Sequence, residues 1–191
     1  MAVEIEAKMQ LQDPREMALR LRASGAVAMG EFLEINSFYD TKDCQMLARD
    51  EGLRLRILKN LKSGQETYVL THKGPNLPGT LKMREETELA VDNARAAEKL
   101  LEHLGFVRWL RFEKRRDSWE FEGCKIELDR LPVLGSFIEI EGPTEAAVMA
   151  AREKLGLTSW PLVKKGYAKM VGKYLEEHGG NELTFENAHN A

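Results

Sequence analysis

Cysteine is scarce in this chain of 191 residues: only Cys44 and Cys124, far apart. They fit neither a zinc-ligand spacing nor a disulfide framework, so two ordinary thiols in a reducing cytoplasm are expected. No apolar run approaches the length of a membrane span. The chain opens on charged alternation instead of a basic-then-apolar leader. Basic excess is missing too: 28 Lys and Arg stand against 31 Asp and Glu, a formal net charge of -3. That excludes the electrostatic footprint of a nucleic-acid binder, and any basic site must be local and offset by acids. Histidine occurs four times, at 72, 103, 178 and 189, never beside a Ser or Cys in a nucleophile motif. "KGPNLPG" at 73–79 lacks the Gly-Lys-Ser/Thr ending of a P-loop. Trp109, Trp119 and Trp160 read as packing residues.

What is present is 43% hydrophobic and 31% charged residues, enough for one domain with a sizeable core. Three segments share a plan. Each starts with a Glu-x-Glu pair (Glu4/Glu6, Glu86/Glu88, Glu139/Glu141), continues to a helix N-cap candidate (Asp13, Asp92, Thr144), and ends its helix at a glycine (Gly25, Gly105, Gly156). Met17, Ala18 and Leu21 form an apolar stripe in the first helix; Ala97, Leu100, Leu101 and Leu104 form one in the second. Strands are expected near 2–10, 34–40, 52–59, 66–73, 82–90, 110–121, 124–130 and 136–142, with hairpin turns at "KSGQ" and "EGCK". Residues 1–178 form one expected domain, and 179–191 a polar, poorly ordered tail. The fold class is α+β: about eight antiparallel strands that close on themselves, with helices packed outside.

The strands carry an unusual row of charges. In "VEIEAK", residues 3–8, a period of two puts Glu4, Glu6 and Lys8 on one face and Val3, Ile5 and Ala7 on the other. The pattern recurs. Arg54 and Arg56 share a face, as do Thr71 and Lys73. So do Arg84, Glu86 and Glu88, then Lys114 and Arg116, then Lys125, Glu127 and Asp129, and finally Glu139 and Glu141. Phe112 interrupts its row, which suggests a bulge or a change of environment there. One such strand fits a sheet with a solvated face. Across the set, like charges two apart would repel unless a ligand neutralises them. Carboxylate clusters suit Mg²⁺ or Mn²⁺, and Arg and Lys clusters suit phosphate oxygens. With the charged face inward, a barrel of eight strands encloses room for one small ligand.

In this order the motifs resemble those of the CYTH superfamily, the triphosphate tunnel metalloenzymes. "VEIEAK" is similar to its E-x-E-x-K signature. "FYDT", "LRLR", "THKG", "REETE", "EKRRDSW", "ELDRLPVLGSFIEIEG" and "KKGYAKM" follow, so the likeness spans all but the tail. It implies an eight-stranded tunnel that binds a triphosphate with divalent metal. Glu4, Glu6, Asp129, Glu139 and Glu141 match metal-site acids, four of them catalytic (Glu4, Glu6, Glu139, Glu141). Lys8, Arg54, Arg56, Lys73, Arg84, Lys114 and Arg116 match phosphate-binding bases, and Glu86, Glu88 and Glu127 match tunnel-lining acids. Lys165, or its neighbour Lys164, matches a base of a C-terminal helix that closes one tunnel end. The resemblance implies a triphosphatase acting on inorganic tripolyphosphate or a small organic triphosphate, such as thiamine triphosphate. Two alternatives stay open: a class IV adenylyl cyclase and a non-catalytic polyphosphate binder. The His-Phe pair that often leads the first strand of such cyclases is not in this sequence. The expected partner is a small triphosphate, with neither nucleic acid nor membrane, in a monomer or a homodimer.

Overall fold

The computed structural model describes residues 2–189. In chain order the elements are β1 (Ala2–Leu11), α1 (Pro14–Ala23), β2 (Val27–Thr41), α2 (Gln45–Ala48), β3 (Gly52–Asn60), β4 (Glu66–Leu77), β5 (Lys82–Val91), α3 (Ala94–His103), β6 (Phe106–Phe121), β7 (Cys124–Leu131), β8 (Gly135–Glu141), α4 (Glu145–Lys154), α5 (Tyr167–His178) and β9 (Glu182–Leu183). The first eight strands run in the order β2-β3-β4-β5-β1-β8-β7-β6, every neighbouring pair antiparallel, and β2 pairs with β6 to close the ring. All eight expected strands are present, β2 and β6 longer at their ends. Closure leaves no free edge and forces one face of every strand inward.

The register sets charged residues abreast around the interior. Glu4 lies opposite Arg84 and Glu6 opposite Lys82 on one side of β1. Lys8 lies opposite Glu139 on its other side. Lys73 faces Glu86, Arg116 faces Asp129, and Glu34 faces Lys114.

The outward face carries the main core. Ala7, Met9 and Leu11 of β1, with Ile126, Leu128, Ile138 and Ile140, pack under Met17 and Leu21 of α1 and Val148 and Ala151 of α4. Asp13 caps α1 by accepting from the amides of Arg15 and Glu16, and Thr144 caps α4 by accepting from Ala147 N at 3.1 Å, both as the sequence indicates. The cap of α3 is one residue later than expected: the Asn93 side chain accepts from Ala96 N at 3.0 Å. Gly142 permits the close approach of α4 to the sheet, since a Cβ there would lie 3.0 Å from Val148 Cγ2 of α4 and 2.8 Å from Cys124 Sγ of β7. In α3 only Leu101 is buried, over Tyr39 and Leu55. Leu100 and Leu104, placed in the same stripe by periodicity, are 59% and 64% exposed. The short helix α2 was not expected from the sequence. Asp40 anchors it by accepting from the amides of Met46 and Leu47.

At one end of the barrel the inward rows turn apolar. Phe38, Phe112, Leu131 and Phe137 occupy inward positions, and α5 packs on them through Val171 and Leu175. Phe112 therefore marks a change of environment, and a β-bulge lies close by on the same strand, where the pairing with β2 slips between Leu110 and Arg108. The helix plugs this end. Among the described residues no helix is long and apolar enough to cross a membrane.

The segment after Gly179, expected to be a loose tail, is partly built into the fold. Glu182 and Leu183 add a short parallel strand to β6. Leu183 is buried with Val171 and Leu175, and Phe185 N donates to Glu113. Residues 190 and 191 lie outside the described residues. Leu183→Ala should lower stability by about 2–5 kcal/mol, measured by chemical denaturation; a loose tail would give no change.

Candidate active site

The inward face encloses a cavity of about 280 Å³. Nine basic and six acidic side chains line it, with Asn36, Phe38, Phe112 and Tyr167. Of the bases matched by the resemblance, Lys8, Arg54, Arg56, Lys73, Arg84, Lys114 and Arg116 all line it, as do Glu4, Glu6, Glu86, Glu88, Glu139 and Glu141. The charged rows thus point inward, not to solvent.

Two networks hold the bases. In the first, Arg116 donates to Asp129 at 2.6 and 2.7 Å and to Glu139 at 2.6 Å. Lys114 reaches Asp129 at 2.9 Å and Glu34 at 3.1 Å, and Glu34 also pairs with Arg56 at 3.0 Å. Burial alone would raise the Glu34 and Glu139 carboxyls. The surrounding bases outweigh it and hold both well below the usual range: Arg116, Arg56 and Lys114 around Glu34, and Lys8, Lys114 and Arg116 around Glu139. In the second network, Lys82 donates to Glu6 at 2.8 Å, Lys73 pairs with Glu86, and Arg54 donates to Thr71 at 2.9 Å. Burial, with Arg54 assisting, pushes Lys73 down to about 8, and it pushes Arg54 down to about 10. Arg84 donates to the carbonyls of Gly74 in β4 and of Asp50 in the turn before β3, which ties it to both.

The acids divide into two kinds. Asp129 and Glu127, matched to a metal site and to the tunnel lining, are buried behind the wall and do not line the cavity. Asp129 braces Lys114 and Arg116, and Glu127 accepts from Ser118 at 2.6 Å. Their place is to fix the bases. Glu4 and Glu141 face the cavity with weaker compensation than Glu6, which Lys82 reaches at 2.8 Å and Lys8 at 3.3 Å. Among the described residues, Glu4 Oε2 is buried without a hydrogen-bond partner, and the bases Lys73 and Lys82 are both 3.9 Å away. Burial raises the Glu141 carboxyl, and Glu4 and Glu6 push it further up against Lys125. An orphaned carboxylate oxygen among mutually repelling carboxylates fits a hard divalent cation with oxygen ligands. Among the described residues no group of three acidic, His or Cys side chains is already gathered closely enough to hold a metal.

Lys165 is not on the tunnel wall. It lies in the loop before α5, and with Lys164 it lines a second cavity of about 220 Å³ at the mouth. Lys164 donates to Gly79 O at 3.3 Å. His72 is half-exposed on the outside, as its position in the strand indicates. Sequence reasoning placed Lys125 in an inward row without giving it a role, and missed Lys82, Glu34 and Tyr167 as wall or bracing residues. Lys82 continues the row of Arg84, Glu86 and Glu88 two residues upstream, so its signal was there. Glu34 stands in a row with Asn36 and Phe38, too mixed to read.

Residues 2–167 match the CYTH domain family. The chain belongs to that family. Its members are metal-dependent enzymes that bind small triphosphates. A Methanocaldococcus jannaschii protein named provisionally as an adenylate cyclase is 21% identical over 89% of this chain and 99% of its own. A Pyrococcus horikoshii protein of known structure superposes with a TM-score of 0.78 at 26% identity, covering 90% of this chain and 99% of that one. A Hippeastrum protein, named as an adenylyl cyclase with a dominant triphosphatase activity, superposes with a TM-score of 0.64 at 21% identity, covering 92% and 96%.

The lowered carboxyls of Glu34 and Glu139 make stability depend on acid. Their contribution is complete above the usual value of 4.5 and is lost as pH falls below it. Glu141, with its raised carboxyl, works weakly the other way. The melting temperature should stay level down to about pH 5 and then fall. Glu34→Gln should flatten that fall while costing about 3–5 kcal/mol at neutral pH, because three bases lose a buried partner. Thermal melts of both proteins across the acid range check this.

Proposed function

We propose that this CYTH protein is a divalent-metal-dependent triphosphatase that hydrolyses inorganic tripolyphosphate or a small organic triphosphate inside its barrel. The observation that carries the reading is the wall itself: among the described residues, nine bases and six acids around one cavity in the barrel. The excess of bases suits an anion of several charges, and the under-compensated acids suit a cation brought with it. The volume lies just below the usual range for drug-sized ligands, about 300–1,000 Å³, which suits a phosphate chain better than a whole nucleotide.

Arg54, Arg56 and Arg116, with Lys8, Lys73 and Lys114, bind the phosphoryl oxygens and stabilise charge as it shifts during transfer. Glu4, Glu6 and Glu141 would hold the cation. Glu139, tied to Lys8 at 3.4 Å and Arg116 at 2.6 Å, keeps these bases aimed at the substrate. A bound Mg²⁺ or Mn²⁺ supplies charge neutralisation on the phosphoryl oxygens and a more acidic water. The described wall offers no serine, cysteine or histidine, so water is the nucleophile. The triphosphatase activity in the name of the Hippeastrum neighbour accords with this.

A second reading, adenylyl cyclase, is favoured by the name of the Methanocaldococcus relative and by the mouth cavity, where Phe38, Leu47 and Trp109 offer apolar surface. Cyclisation also needs a ribose hydroxyl held in line with the α-phosphate. The acid of that cavity best placed to take a ribose hydroxyl is already engaged: Asp50 accepts from Asn76 at 2.6 Å and pairs with Lys169 at 2.6 Å. Hydrolysis asks nothing beyond the wall, and it is ranked first.

Tripolyphosphate and ATP should each be incubated with Mg²⁺ or Mn²⁺ and the products separated. Orthophosphate from tripolyphosphate is expected; cyclic AMP with equal pyrophosphate, and intact tripolyphosphate, would install the cyclase reading. Glu4→Gln should cost turnover about 100-fold or more, the equivalent of a few kcal/mol of lost charge stabilisation, while the melting temperature holds. The alkaline limb of kcat/KM should turn near pH 8 as Lys73 loses its proton. Lys73→Arg should move that limb out of range, and an unchanged profile would remove Lys73 from the phosphate-binding set.

A further inference from the structure

Tyr167 is the first residue of α5 and lines the tunnel beside Gly166 and Ala168. Its ring lies 4.3 Å from Lys8 Nζ and 5.1 Å from Lys114 Nζ, centroid to nitrogen. Its edge packs on Phe137 at 5.4 Å. Both lysines are almost fully buried. The negative face of the ring attracts both and helps hold two like charges together. A phenylalanine would serve equally for that contact and for the packing.

The hydroxyl is what needs a reason. Its oxygen is buried and has no hydrogen-bond partner among the described residues, an arrangement that costs stability. Burial, with Asp129 and Glu139 close by, holds its pKa well above the usual value, so it stays protonated and can donate. Among the described residues, Gly166 leaves the N-terminus of α5 without a side-chain cap, so the amides of its first turn are open to an anion.

We propose that Tyr167 is a substrate-binding residue: its hydroxyl donates to a phosphoryl oxygen at the α5 end of the tunnel, and its ring aims Lys8 and Lys114 at the same phosphate. This rests on the triphosphatase reading and adds a neutral donor to a site otherwise made of charges. The hydroxyl trades stability of the empty protein for affinity.

The test is calorimetric titration with tripolyphosphate, without metal and then with Mg²⁺, alongside ligand-free melting, for wild type, Tyr167→Phe and Tyr167→Leu. Tyr167→Phe should bind about tenfold to hundredfold more weakly. It should also melt higher, by about 2–4 °C, because an unsatisfied buried group is gone. Tyr167→Leu should bind more weakly still, because the lysines lose the ring. Equal affinity of wild type and Tyr167→Phe overturns the proposal, and so does a lower melting temperature for Tyr167→Phe, which would mean that the hydroxyl is bonded within the empty protein. Equal affinity of the two variants removes the role of the ring. If wild type binds no tripolyphosphate, the triphosphatase reading falls and this proposal with it; a wild type that binds while Tyr167→Phe binds equally well overturns this proposal alone.

Discussion

Charge compensation inside a closed barrel is the constraint on which the rest of this structure depends. Once eight strands close, the inward charges in the middle of the barrel, such as Lys8, Lys114 and Arg116, are largely cut off from solvent and must find partners on the wall. Arg116 shows the solution: Asp129 on one neighbour and Glu139 beyond it both stand at 2.6 Å. Buried pairs of this kind seldom stabilise a fold more than apolar residues of similar volume would. The same strands use that cheaper alternative at the other end, where Phe38, Phe112, Leu131 and Phe137 fill the interior under α5. The change from apolar to charged along single strands therefore marks out the binding volume, and stability alone does not account for it.

The compensation is uneven, and the unevenness has chemical content. Asp129, Glu127 and Glu34 sit behind the wall and act as rigid braces, so the arginines and lysines are aimed before any substrate arrives. Such preorganised charge is worth most where charge develops during phosphoryl transfer, because little has to reorient. Glu4 and Glu141 are left partly unanswered on the wall, beside a Glu6 already held by Lys82 and Lys8, and an added cation there would relieve their repulsion. The Tyr167 hydroxyl is a second unanswered group, at the plugged end. Between them these residues leave room for one anion and its counter-cation.

Much of this was legible in the sequence because a barrel strand writes its inside and outside in a period of two. Glu4, Glu6 and Lys8 alternate with Ile5 and Ala7, and the same holds for Arg54 and Arg56, for Glu139 and Glu141, and for the strand bounds. Alternation cannot tell a wall residue from one behind it: Asp129 and Glu139 look alike in the chain, but only Glu139 reaches the cavity. That depends on which neighbour claims each carboxylate, a property of register and not of spacing. Lys165 failed for a different reason, since its position depends on where α5 begins and α5 starts two residues later. Leu183 was lost in a polar stretch, because two residues of strand carry no periodicity. Leu100 and Leu104 kept the period but had nothing to pack against.

The account stands or falls on where a triphosphate and its metal settle. The most direct measurement is a crystal structure with tripolyphosphate and Mn²⁺, the metal located by its anomalous scattering. The predicted result is tripolyphosphate within the barrel against Arg54, Arg56 and Arg116, and Mn²⁺ against the carboxylates of Glu4 and Glu6. Tripolyphosphate found instead at the mouth, among Lys164, Lys165 and Lys169 with no metal near Glu4, would contradict it.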